Sequence, residues 1–233
     1  AAIHAADHPP RPAEPPGAAY LHGNHRPAQA LAEAASRWPG SRFVFLSTLS
    51  VYGRIVGPVL TDDAPLRQPE AYGVSKYFAE LALAERAGPY ALVCLRMPGV
   101  VGRGYFAPWL GRVARLAASG SDITVYNPDA PFNNILDLDE LHRQIEALLR
   151  APLAGAQTTN LAAAAPLPLG EVVARICQGL GSTSRILVNP APRDSFCIDV
   201  SRCQALSGLV PETAATIIDR YVATNRDLLE TGL

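Results

Sequence analysis

The chain has 233 residues, enough for one large domain or two small ones, and its 48 % hydrophobic content can supply a sizeable core. A formal net charge of −1, with arginines scattered rather than blocked, gives no electrostatic reason to bind nucleic acid or an acidic membrane surface. No apolar run reaches the roughly 18 residues that a membrane-spanning helix needs.

In chain order, residues 1–6 ("AAIHAA") predict a short buried strand running into a loop. The chain begins without methionine, its only one being Met97, and without the basic start of a signal peptide. The expectation is therefore a chain that begins inside a fold. The proline-rich stretch "HPPRPAEPPG" excludes helix and central strand. The alanine-rich residues 18–37 predict a helix, with an irregularity at Pro27. "SRFVFLS" (41–47) predicts a buried strand, 70–87 a helix stopped by Gly88-Pro89, and "YALVCLR" (90–96) a second buried strand.

Near-continuous apolar strands alternating with helices predict a parallel sheet covered on both faces, in the doubly wound pattern. Beyond Pro98 the texture changes. A glycine-rich aromatic loop leads to a helix at 110–118 and a strand "ITVY". A helix at 138–150 follows, with Asp137 and Glu140 in a capping-box arrangement. A short strand in "QTTNLA", a helix at 169–180, short strands in "RILVNP" and "FCIDV", and a closing helix at 211–225 complete the chain. The cysteines, Cys94, Cys177, Cys197 and Cys203, form no C-x-x-C pair and have no histidine at zinc-like spacing. They read as structural thiols in a reducing compartment, which predicts a cytosolic protein and no metal site.

Chemistry enters at "AYGVSKYFAE". Lys76 is the only lysine beside nineteen arginines, and it lies four residues after Tyr72. On a helix that spacing puts both on one face, about 6 Å apart at Cβ. A phenol with a pKa of about 10 exchanges protons near neutrality only if an adjacent cation stabilises its phenolate. An ammonium does this as a point charge and keeps donors for a ribose hydroxyl; a forked guanidinium suits that place less well. The strand "SRFVFLST" places Thr48 at its carboxyl tip, where open α/β sheets bind ligands. A hydroxyl there can hold a substrate oxygen while the tyrosine transfers the proton.

The segments "AAIHAA", "FVFLSTLSVYG", "YGVSK", "LRMPGVVGRG" and "FNNILDLDEL" together resemble the extended short-chain dehydrogenase/reductase superfamily, and within it the NAD-dependent epimerase/dehydratase group. The resemblance implies a Rossmann-like doubly wound parallel sheet lacking its N-terminal part, with a smaller C-terminal α+β substrate domain. Residues 1–98 would be the remaining dinucleotide-binding portion. Residues 99–233 would be mainly substrate-binding, with roughly 133–162 returning to the Rossmann domain.

The same resemblance makes Tyr72 the general acid/base, Lys76 its activator and ribose ligand, and Thr48 the ligand of the reacting oxygen. Ala5, Ala6, Pro98 and Gly99 match backbone beside NAD or NADP. Asn24 matches an asparagine near the active site, although a helix-start cap is equally open to it. Asn133 and Arg193 stand at substrate-binding positions where phosphate-contacting arginines are common, and only the second is an arginine. The implied reaction is hydride transfer at a carbinol or ketone carbon of a sugar-like or nucleotide-sugar substrate, and the resemblance implies a homodimer formed through helices such as 70–87.

The family's glycine-rich fingerprint would lie upstream of residue 1, so the choice between NAD and NADP stays open. A protein of a different class, non-catalytic and without cofactor affinity, is the alternative. The run from "YALVCLR" through "GVVGRG" to Asp129 could itself be an internal dinucleotide fingerprint, but its aromatic insert lengthens the turn, and a flexible loop over the substrate is the preferred reading.

Overall fold

The computed structural model describes residues 2–5, 18–106, 108–191 and 193–231. Its centre is a four-stranded, wholly parallel sheet in the order β1 (Ala2–His4), β2 (Arg42–Thr48), β4 (Ala91–Met97), β9 (Ala156–Asn160), with the two-residue β3 (Val59–Leu60) outside it. Every residue of β4 is buried, as expected of a strand flanked by strands and covered on both faces.

The period of two along the strands divides the core. Phe43, Phe45, Leu92 and Cys94 meet Ala28, Ala32 and Ala35 of α2 (Arg26–Ala35) and Ala79 and Leu83 of α3 (Ala71–Glu85). On the opposite face Val44, Val93 and Leu95 meet Leu141, Ile145 and Leu148 of α5 (Leu138–Arg150) and Cys203 of α7 (Ser201–Ser207). The alanines of α2 recur one and two turns apart and let that helix lie close to the sheet. A separate core joins α4 (Pro108–Ala118), α6 (Leu169–Leu180), α8 (Ala214–Glu230) and β6 (Ile123–Tyr126). The remaining strands are paired off in twos: β5 (Val100–Val101) with β8 (Leu136–Asp137), β7 (Pro131–Phe132) with β10 (Leu167–Pro168), β6 with β11 (Ile186–Asn189), and β3 with β12 (Cys197–Ile198).

The doubly wound parallel sheet stands as the sequence predicts, and several details are corrected. The helix expected over 18–37 is α1 (Ala18–Tyr20), a π-helical turn (Leu21–His25) and then α2. Pro27 has no N–H and its ring crowds the carbonyl one turn earlier, and the widened turn relieves that conflict. The closing helix runs Ala214–Glu230 rather than 211–225, because Thr213 caps it by accepting the Thr216 N–H. Asp137 caps α5 as expected, accepting the Glu140 N–H at 2.9 Å. The Glu140 carboxylate, however, turns to Arg143 and Gln144 instead of closing the box. The internal-fingerprint reading fails: among the described residues β6 pairs only with β11 and lies outside the sheet that holds β4, so residues 90–126 form no β-α-β unit.

Candidate active site

Thr48 is the last residue of β2, at the carboxyl edge of the sheet. Its hydroxyl accepts the Ser50 N–H at 3.1 Å and so caps the 3₁₀ turn Leu49–Tyr52. That turn is where helix α3 comes to rest. A Cβ placed on Gly73 would lie 2.1 Å from the Ser50 carbonyl oxygen, so the first turn of α3 touches this backbone through a glycine. A glycine inside a helix costs about 1 kcal/mol relative to alanine, and the close approach explains its presence. Gly73→Ala should therefore destabilise the protein, by roughly 1–3 kcal/mol, and separate Tyr72 from Thr48. A urea melt and an activity assay on the same variant check both effects; unchanged stability would refute the contact.

Helix α3 carries Tyr72 and Lys76 one turn apart. The Tyr72 ring meets the Tyr20 ring edge-on, with centroids 6.0 Å apart. Lys76 is buried, and its ammonium lies 4.5 Å from the centroid of Phe45, a cation–π contact inside the protein. Asn24, in the π-helical turn, is not a helix-start cap. Its Nδ2 donates to Ser75 Oγ at 3.0 Å, and Ser75 Oγ donates to the Tyr72 carbonyl at 2.7 Å. Asn24 thus grips α3 between the tyrosine and the lysine. The imidazole of His4, at the end of β1, is pulled below its ordinary pKa first by burial and then by the Lys76 charge, so it is neutral near pH 7.

Ala5 follows β1 and is exposed, whereas Ala6 lies outside the described residues. Pro98 and Gly99 follow β4, whose Met97 is the register partner of Thr48, so they stand at the same sheet edge. A Cβ on Gly99 would meet nothing within 4 Å.

Asn133 and Arg193 lie outside the β2 and α3 segments that carry Thr48, Tyr72 and Lys76. The buried Asn133 amide donates to the carbonyls of Ala163 and Ile198 and accepts the Ile198 N–H, at 2.8–2.9 Å. Asn133, expected at a substrate-binding position, uses its side chain to staple two backbone segments together. Arg193 is exposed, with its guanidinium carbon 3.7 Å from the centroid of Tyr126.

The structure adds residues that the motifs did not single out. Glu80, one turn beyond Lys76, is buried and accepts Ser47 Oγ at 2.5 Å. It also accepts Arg96 Nε at 3.0 Å and Arg96 Nη2 at 2.6 Å. Ser47 precedes Thr48 and is the register partner of Arg96. One carboxylate therefore ties the Tyr72–Lys76 helix to both strand ends. Burial opposes the charge on Arg96, but the Glu80 hydrogen bonds and charge outweigh it and move the guanidinium pKa up. Arg96 also stacks on Tyr52, whose hydroxyl reaches Asn160 Oδ1 at 2.8 Å. The available signal was an arginine within an otherwise apolar buried strand, which demands a buried acid.

An open, wholly parallel sheet covered by helices on both faces defines a Rossmann-like α/β protein, and Thr48 ends a strand of it against the helix that carries Tyr72 and Lys76. The family model described as the NAD dependent epimerase/dehydratase family matches residues 1–161, and the chain belongs to that family. No curated protein matches it. Among solved structures, MoeE5 in complex with UDP-glucuronic acid and NAD is similar at 23 % identity and a TM-score of 0.76, over 99 % of this chain and 79 % of that one. The UDP-glucuronic acid 4-epimerase from Bacillus cereus in complex with NAD gives 17 % and 0.76, over 98 % and 73 %. The Bordetella bronchiseptica enzyme WbmG in complex with NAD gives 19 % and 0.74, over 95 % and 70 %. At these identities the likeness is one of fold. Among the described residues, no helix is long and apolar enough to cross a membrane.

Proposed function

We propose that this protein is an NAD(P)-dependent epimerase or oxidoreductase of the extended short-chain type, acting at a carbinol or ketone carbon of a sugar-like, nucleotide-linked substrate. The observation that supports this reading is the close approach of Gly73, in the first turn of the helix that carries Tyr72 and Lys76, to the backbone of the turn capped by Thr48. Tyr72 exchanges a proton with the substrate oxygen while Thr48 Oγ1 holds that oxygen. Lys76 favours the phenolate of Tyr72 and binds a ribose hydroxyl. Asn24 keeps the first turn of α3 in place through Ser75. The backbone of Ala5, Ala6, Pro98 and Gly99 would border the nicotinamide end of the cofactor. When bound, NAD or NADP supplies the hydride acceptor. Nucleotide-sugars as substrates are supported by the neighbours solved with UDP-glucuronic acid and UDP-glucose. Residues 1–98 with the returning stretch 133–162 would form the cofactor side, and the rest of 99–233 the substrate side. A homodimer in the cytoplasm completes the reading.

Calorimetric titration of the purified chain with NAD and NADP, followed by incubation with UDP-glucuronic acid and UDP-glucose, tests it. Saturable binding of one cofactor and conversion of a UDP-sugar are expected. Absence of binding by both cofactors would return the chain to the non-catalytic reading.

A further inference from the structure

His4, Phe45 and Cys94 are register partners on three neighbouring parallel strands, so their side chains stand in a row on one face of the sheet. Helix α3 packs on that face and lays the Lys76 ammonium over the row, 4.5 Å from the centroid of Phe45. The His4 imidazole meets the Phe45 ring edge-on, with centroids 5.4 Å apart and planes at 75°. The buried Cys94 borders the same ring from the strand on its other side. The ring that receives the ammonium is thus held from both neighbouring strands. All three members of the row are uncharged near pH 7. Phe45 has no charge to carry, burial pushes the Cys94 thiol up, and burial followed by the Lys76 charge pulls the His4 imidazole down. A buried ammonium is attracted by the aromatic face, and a second cation beside it would repel it where water screens little. Among the described residues, the other titratable groups nearby face other partners: Tyr72 meets Tyr20, Glu80 holds Ser47 and Arg96, and His25 of the π-helical turn meets Phe78. Lys76 is the charge that bears on the imidazole.

We propose that His4 is a positioning residue for Lys76: a neutral ring that holds Phe45 as the seat of the ammonium and keeps a second cation out of the pocket. This rests on the function proposed above, in which Lys76 favours the phenolate of Tyr72. The coupling runs both ways, because linkage between two sites is reciprocal. The Lys76 charge opposes protonation of His4, and a protonated His4 opposes the ammonium. Acidification therefore charges the imidazole, sets two cations in one pocket and displaces the ammonium from Phe45.

Two spectroscopic titrations test this and need neither cofactor nor turnover. The ring protons of His4, assigned by their loss in His4→Phe, are followed by NMR across the pH range. In Lys76→Met the His4 titration should move up by about one pH unit, because the opposing charge is gone while an apolar chain still fills the space. The phenolate of Tyr72 is followed by ultraviolet absorbance, as the difference from Tyr72→Phe. It should titrate about one pH unit higher in His4→Ala than in the unsubstituted chain, since an ammonium without a fixed seat favours the phenolate less. His4→Phe, which keeps an aromatic edge against Phe45, should restore most of that difference. A purely structural His4 would lower the melting temperature in His4→Ala and leave the phenolate titration where it was. That outcome, or a His4 titration indifferent to Lys76→Met, would overturn the proposal. A Tyr72 titration indifferent to Lys76→Met would instead count against the proposed role of Lys76, and the His4 titration in that variant still decides whether the two residues are coupled.

Discussion

Tyr72→Phe should lower turnover by a factor on the order of 10²–10⁴, with little change in substrate affinity or melting temperature. The substitution removes one oxygen. It keeps the ring that meets Tyr20 edge-on and leaves untouched the Tyr72 carbonyl that accepts Ser75. A loss confined to kcat marks the hydroxyl as the proton-transferring group, because an interaction made only in the transition state lowers kcat and kcat/KM together. Lys76→Met is the companion experiment. Removing the ammonium takes away what favours the phenolate, so the remaining activity should need a higher pH. Lys76→Arg should not restore it, since the side chain is buried over Phe45 and a planar fork does not occupy the space of an ammonium. Tyr72→Phe with unchanged kcat would remove the proposed role outright.

Glu80→Ala is expected to have the largest effect on stability. The carboxylate is buried between Ser47 and Arg96, and its removal leaves the Arg96 guanidinium buried without a counter-charge. Breaking such a pair costs about 3–5 kcal/mol. For a protein of this size that lowers the melting temperature by roughly 6–20 °C. Replacing the pair as a whole gives a sharper result. Glu80→Met with Arg96→Met removes both buried charges and should recover most of the stability, because well-packed apolar residues often replace a buried pair at no net loss. It should not recover turnover. The carboxylate bonds the helix of Tyr72 and Lys76 to Ser47, just before Thr48, and to Arg96, two residues before Pro98, and apolar contacts hold that spacing less firmly. Full activity in the double variant would reduce Glu80 to a purely structural residue.

The parallel sheet was legible because β2 and β4 have sequences that few other structures accommodate: seven-residue runs dominated by apolar side chains, each bounded by turn or loop residues. Tyr72 and Lys76 were legible because helical periodicity is local. Residues four apart share a face wherever the helix goes, and the sole lysine marked the position. Thr48 needed only the end of a strand to be found.

Tertiary structure decided everything that depends on distant residues meeting. Asn24 could as well have capped a helix, and only the packing of the π-helical turn on α3 brings its amide to Ser75, 51 residues away. Asn133 lies where a ligand contact was expected, and the fold turns it toward the backbone of Ala163 and Ile198. Arg96 announced an acid partner without saying which of the chain's Asp and Glu residues it would be. Parallel register set Arg96 beside Ser47, and the seating of α3 through Gly73 brought Glu80 to both. The two-residue strand pairs and the short α7 carry too few residues for any period to show. Local periodicity determined which residues could act; backbone contacts across the chain determined which of them stand together.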